Sequence, residues 1–134
     1  MISISDAAKA YISAAERCEE QRLINERQFE VLLVPAVTNR AFATELYIKA
    51  ISQADGVELK EHNLKELFDK LADKRKKKIV REMGLDKNSF LVTLEENANL
   101  FVEWRYLFEK NDINVSWDFL QKLSRSVKIV FEGK

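Results

Sequence analysis

The chain has 134 residues, a length typical of one domain, and 46% of them are hydrophobic and 33% charged, which excludes an intrinsically disordered chain. Its 22 basic and 22 acidic residues cancel, so the composition does not indicate a dedicated nucleic-acid-binding protein. The single Cys and the single His exclude an intramolecular disulfide, Cys-rich zinc sites and two-histidine metal motifs, and we expect neither a metal site nor a cofactor.

The scarcity of glycine and proline bears on the fold class. Three Gly and one Pro are present, where average usage gives roughly nine and about seven. Few tight turns can be built from them, so we expect long helices and not many short strands. No long apolar run and no basic leader followed by an apolar stretch is present. The sequence therefore predicts no membrane span, no signal peptide and a cytoplasmic location.

The first two predicted helices form the N-terminal part of the fold. Apolar residues recur at helical spacing from about Asp6 and predict a helix that ends near 22–25, with Cys18 on its apolar side as a small core residue and not a nucleophile. The next segment, 26–53, is apolar nearly all round and is expected to be central. Pro35 lacks an amide donor and either starts a new helix or kinks this one.

Two short helices are predicted after a linker at 54–61. Asn63 is the expected N-cap of a helix over 64–71, because four apolar residues follow it at helical spacing. Asp73 is the expected cap of a helix over 74–83, which ends at a glycine.

Two further helices complete the prediction. Segment 88–110 carries an apolar seam and predicts one long helix, and Ser116 is the expected cap of the last one. The end of that helix, 127–131, is rich in β-branched residues, so a short strand or a frayed tail is the alternative there. Together the segments predict an all-α, up-and-down bundle of four to five helices in a single domain, 1–134.

The densest charge feature is a basic run in the fourth predicted segment. Its cations are Lys74, Arg75, Lys76, Lys77, Lys78 and Arg81. One interpretation is a patch that contacts phosphate groups. The other is a solvated helix face, because nearby acids dilute the run and no exposed aromatic residues accompany it for base stacking.

Charged residues at apolar positions predict a polar network between the second helix and segment 88–110. Arg105 lies within an apolar seam, and a guanidinium in such a place needs a carboxylate partner. Glu45, inside the most apolar helix, is the candidate, and Lys49 and Glu109, one turn further along each helix, extend the network. The network either fixes the register of the two helices or serves a function, and the sequence is compatible with both.

Three stretches carry a resemblance to a known family. Residues 41–49 read AFATELYIK, residues 62–68 read HNLKELF and residues 104–109 read WRYLFE. In this order they resemble the HEPN superfamily, the higher eukaryote and prokaryote nucleotide-binding domains, over about residues 5–125. The resemblance implies a helical bundle, often homodimeric, in toxin–antitoxin, phage-defence or RNA-processing settings and often beside a nucleotidyltransferase. The positions that match are Glu45, Lys49, His62, Arg105, Tyr106 and Glu109.

The resemblance lacks the ribonuclease signature of the superfamily. Catalytic members carry an Arg and, with four to six residues between, a His that form a metal-independent site. Arg105 matches the Arg, but Lys110, Asn111 and Asp112 stand where the His falls. The one histidine, His62, instead precedes a predicted helix cap, where a packing role is more common than a catalytic one.

The sequence therefore predicts a non-catalytic, HEPN-like binding or assembly module. We expect a homodimer whose partner is RNA, a nucleotide or a protein such as a nucleotidyltransferase, and no membrane partner. Two alternatives stay open. One is a ribonuclease toxin with an unconventional site of Arg105 and Glu109 together with Lys49 or His62, and the other is a purely structural subunit of a larger complex.

Overall fold

The computed structural model describes residues 2–20, 26–98 and 117–133. It describes the side chains of residues 2–19, 35–98 and 117–133. These residues form six helices, and no strand occurs among them. The helices are α1 (Ile4–Glu20), α2 (Glu26–Ala54), α3 (Leu64–Asp69), α4 (Asp73–Met83), α5 (Lys87–Glu96) and α6 (Trp117–Phe131). The predicted all-α class is confirmed, although the described helices already exceed the predicted four to five.

Helix α2 is central, as its nearly uniform apolar character predicted. It contacts α1 most extensively, and it also packs against α6 and α3. A single helix continues through Pro35, which excludes the first of the two alternatives, a new helix that starts at this residue. Proline is tolerated inside a helix when tertiary contacts of the flanking turns offset the missing hydrogen bond.

The core is continuous across the described helices. Side chains of α1, α2, α3, α4, α5 and α6 join one buried cluster. Its aromatic centre is a chain of three rings, in which Phe90 lies 5.0 Å from Phe68 and 5.7 Å from Phe119 between ring centroids. Tilted rings at such separations add to the apolar burial that holds α3, α5 and α6 together. Cys18 is only partly buried, at the edge of the α1 packing face.

The caps of α3 and α4 show how local sequence sets these helices. Asn63 caps α3 as predicted, since its side-chain oxygen accepts a hydrogen bond of 3.0 Å from the amide of Glu66. Asp73 does not cap α4; the N-cap is Ala72, which makes no side-chain cap bond, and Asp73 is the first helical residue. At that position its carboxylate interacts favourably with the positive end of the helix dipole, although it accepts no hydrogen bond from a backbone amide of the described residues. Gly84 ends α4 at φ 70°, as predicted.

Helix α5 is shorter than the predicted helix over 88–110. It ends at Glu96, and Asn97 is the C-cap with a non-helical backbone. The Asn97 side chain donates a hydrogen bond of 2.8 Å to the carbonyl of Thr93, to which the backbone amide of Asn97 also donates at 3.2 Å. Apolar periodicity continues past this point in the sequence, so it could not reveal the break.

The last described helix, α6, decides between the alternatives for the run 127–131. Helix α6 is helical as far as Phe131, so the run 127–131 is neither a strand nor a frayed tail. Its buried side includes Leu120, Leu123 and Val127.

Among the described helices, none combines the length and the apolar character that crossing a bilayer requires.

Candidate functional site

A buried carboxylate on α2 joins three of the residues that the sequence singled out. Glu45 is 5% exposed, and one of its oxygens, Oε2, accepts a hydrogen bond of 3.1 Å from Lys49 Nζ one turn later on the helix. The same oxygen lies 3.1 Å from Nδ1 of His62, which stands just before the cap of α3. The predicted grouping of Glu45 with Lys49 is thus present, and the structure adds His62 to it.

The geometry at His62 resembles a carboxylate–imidazole pair. An ionised carboxylate only accepts hydrogen bonds, so the hydrogen in this contact belongs to Nδ1 of the imidazole. The neutral ring then has its acceptor lone pair on Nε2. Because 66% of the His62 side chain is exposed, the imidazole is open to solvent. A carboxylate that fixes the tautomer in this way prepares an imidazole for proton transfer or ligand binding.

The other oxygen of Glu45 has no such partner within the described part of the chain. Glu45 Oε1 is buried and receives no hydrogen bond there. A buried unpaired carboxylate oxygen is costly, so it marks a place where a donor is expected. The predicted donor is Arg105, which lies outside the described residues, as do Tyr106 and Glu109. The Glu45–Arg105 pair therefore stays a prediction.

The basic run lies on α4, and one of its cations, Arg75, is paired with a carboxylate of the chain. Arg75 makes two hydrogen bonds, of 3.0 and 2.9 Å, to the two oxygens of Asp55 at the end of α2. These bonds lower the pKa of the Asp55 carboxyl and raise the pKa of the Arg75 guanidinium. Lys76 Nζ lies 4.0 Å from a carboxylate oxygen of Asp73.

Four other cations of the run form an exposed cationic stripe, defined as Lys74, Lys77, Lys78 and Arg81. Their spacing of three and four residues places them side by side on the helix surface. None of the four has an ion pair with a residue that the structure describes, although Lys74 acts on Asp55 at longer range. The stripe is therefore available to an anion from outside the chain.

A second buried charge was missed by the sequence analysis. Arg40 of α2 is fully buried, and its guanidinium donates to both oxygens of Glu19 of α1, at 3.0 and 2.7 Å. A third bond, of 3.0 Å, goes from Nη1 to the hydroxyl of Ser124 of α6. This Arg40–Glu19–Ser124 junction ties α1, α2 and α6 together.

The sequence held one signal for this junction. Arg40 lies on the same face of α2 as Val37 and Thr44, both of which are buried, so a charged residue there required a partner. Beside the junction a cleft of about 570 Å³ opens, and Glu16, Arg125 and Lys128 contribute to its walls. Three acidic and three basic residues line it, which indicates no single ligand charge.

Within the part of the chain that the structure describes, no three His, Cys, Asp or Glu side chains converge in a way that could hold a metal ion. Comparison of the chain with protein-family models, curated proteins and solved structures found no match.

Proposed function

We propose that this protein is a non-catalytic, HEPN-like binding and assembly module that uses α4 to hold an anionic partner. The observation that carries the proposal is the cationic stripe, whose four exposed members have no ion pair with a described residue. Unpaired cations on one helix face raise the local concentration of anions and speed their association. RNA, a nucleotide and an acidic protein surface share the required chemistry.

The resemblance supplies the setting of the proposal. We place the module in the cytoplasm as a homodimer in a toxin–antitoxin, phage-defence or RNA-related system, with a nucleotidyltransferase as a protein partner. The non-catalytic part rests on Arg105, which no His follows at the ribonuclease spacing. Light scattering tests the dimer, and a mass of 15.6 kDa at high protein concentration would contradict it.

Binding is tested with three labelled anionic probes, namely mixed RNA, ATP and an acidic peptide, followed by fluorescence anisotropy at low and high salt. We expect at least one probe to bind, and we expect that affinity to fall as salt rises. The variant carries Lys74→Glu, Lys78→Glu and Arg81→Glu, which reverse three exposed charges of the stripe. It should lose at least about tenfold in affinity, because each reversal removes an attraction and adds a repulsion.

A matched control reverses three exposed cations elsewhere, at Lys9 on α1 and at Lys122 and Arg125 on α6. It carries the same change in net charge, so it separates a local stripe from a general charge effect. The proposal fails if no probe binds, or if the control variant loses as much affinity as the stripe variant.

A second candidate function is a ribonuclease, and one observation favours it. Buried Glu45 orients the exposed imidazole of His62 through Nδ1, an arrangement that general acid–base catalysis uses. Purified protein incubated with mixed RNA decides between the two functions. We expect no cleavage. Cleavage that His62→Gln and Arg105→Ala both abolish would replace the binding module with an enzyme.

A further inference from the structure

A cavity next to the cationic stripe has apolar walls and a charged rim. It measures about 370 Å³ and lies where α3, α4 and α5 meet. Phe68, Val80 and Leu91 form its apolar part, one from each helix, and Lys76, Lys77 and Lys87 stand around it. The volume is within the range of about 300–1,000 Å³ over which proteins bury small ligands or anchoring side chains.

The apolar walls are held in place by the core. Phe68 is 3% exposed, and its ring packs against the buried ring of Phe90. Val80 and Leu91 pack against the same core from outside, and both keep part of their surface open. An apolar group that enters the cavity therefore meets a preformed surface, which limits the entropy lost on binding.

The rim is cationic. One carboxylate, that of Asp73, belongs to the lining together with the three lysines. The Asp73 side chain is 90% exposed and lies 4.0 Å from Lys76 Nζ, so these two charges offset each other. Lys77 and Lys87 are exposed and have no ion pair with a described residue. Two positive charges thus remain beside an apolar pocket.

We propose that this cavity anchors an acidic peptide segment of a partner protein, which inserts one apolar side chain between Val80 and Leu91 while its carboxylates contact Lys77 and Lys87. The inference rests on the proposed function, because it names the partner of the same face of α4. The cationic stripe continues the rim from Lys74 to Arg81. At 1.5 Å per residue this length is about 10 Å, which fits several carboxylates along a chain and not one small anion.

The character of the walls favours a peptide over RNA. Binding of single-stranded nucleic acid uses exposed aromatic side chains on which bases stack. Phe68, the aromatic residue of this lining, is buried to 97%, and the exposed apolar surface comes from the aliphatic Val80 and Leu91. Aliphatic walls instead suit an aliphatic or aromatic side chain, the anchor that protein partners commonly supply.

The test uses fluorescein-labelled peptides of Glu and Ser residues that differ at one central position, which is Leu, Phe or Ala. Anisotropy measures their affinity for the full-length protein. We expect the Leu or Phe peptide to bind at least about tenfold more tightly than the Ala peptide, because the larger side chains bury more apolar surface. The variant with Lys77→Glu and Lys87→Glu should bind the Leu peptide about tenfold more weakly.

Two further measurements distinguish a loss of peptide binding from a loss of folding. Leu91→Ala should weaken the Leu peptide several-fold, whereas Val92→Ala removes a 58% exposed neighbour of the same helix and should change nothing. Amide chemical shifts of the unmodified protein, recorded with the Leu peptide, should move mainly in α3, α4 and α5 and need no variant.

Equal affinity of the Leu and Ala peptides, or shifts centred on another face, would overturn the inference. If RNA binds the stripe and no acidic peptide binds, the inference fails while the proposed function stands. If RNA, ATP and every peptide fail to bind, both fail.

Discussion

Removal of Glu19 should destabilise the protein more than removal of its partner Arg40. Arg40 is fully buried, whereas 19% of the Glu19 side chain is exposed. In Glu19→Ala the guanidinium keeps its bond to Ser124 but loses the carboxylate bonded to it, and a buried charge without its counter-ion costs about 3–5 kcal/mol. In Arg40→Met the methylene stem is largely replaced and Glu19 regains water, so we expect about 1–3 kcal/mol.

The double variant, Glu19→Ala with Arg40→Met, separates the effect of the ion pair from the effect of lost side-chain packing. With both charges removed, no buried ion is left unpaired, and the loss should equal that of Arg40→Met alone. The double-mutant cycle should therefore return a coupling energy between the two residues that equals the loss in Glu19→Ala, about 3–5 kcal/mol. Urea unfolding followed by circular dichroism at neutral pH measures all three free energies.

Glu16→Ala is the matched control, since Glu16 is an exposed glutamate of α1 beside the same cleft. It should change the free energy of unfolding by less than about 0.5 kcal/mol. A smaller loss in Glu19→Ala than in Arg40→Met, or a coupling energy close to zero, would contradict the assignment of Glu19 as the counter-ion of a buried Arg40.

Three smaller changes test the connections between helices. Gly84→Ala should cost about 1 kcal/mol in thermal or urea unfolding, because φ is 70° there; nothing lies within 4 Å of the new methyl group, so the cost is backbone strain without a steric clash. Asn63→Ala should cost about 1 kcal/mol through the lost cap bond to Glu66, whereas Asn63→Asp should retain stability; equal losses would exclude the cap as the cause. Bonding to Arg75 lowers the pKa of Asp55 below 3.8, so the pair stabilises the fold above that pH and the effect vanishes as pH falls through the lowered pKa. Urea midpoints of Asp55→Asn should lie below those of the unmodified protein near neutral pH and match them in strong acid, and a difference that persists in acid would contradict this assignment.

Local signals in the sequence accounted for most of the helix positions. Four apolar residues at helical spacing behind Asn63 predicted α3 and its cap, and Gly84 predicted the end of α4. Such signals act within one or two turns of chain, so sequence alone can reveal them. At the end of α5 the side chain of Asn97 bonds back to the carbonyl of Thr93 in its own helix. Apolar periodicity does not register such local bonding.

The charged residues of the core were less predictable. Glu45 and Lys49 are one turn apart on α2, and that spacing alone predicted their contact. Arg40 and Glu19 lie on different helices, and their contact depends on the rotation and crossing angle of α1 against α2. No periodicity in the sequence reports that rotation. Only the requirement that a buried guanidinium has a partner was visible, and it did not identify which carboxylate.

The connection between α2 and α3 has no regular secondary structure, yet contacts at several of its residues hold it against the helices. The Ser52 hydroxyl donates to the carbonyl of Val57 at 2.8 Å, the Leu59 side chain is buried, and His62 bonds to Glu45. Each fixed residue has already lost backbone entropy of about 1–2 kcal/mol on folding. The connection therefore behaves as part of the rigid body, and α3 cannot detach from α2 without local unfolding. Hydrogen exchange there should occur together with that of α3, and proteases should cut the native protein elsewhere first.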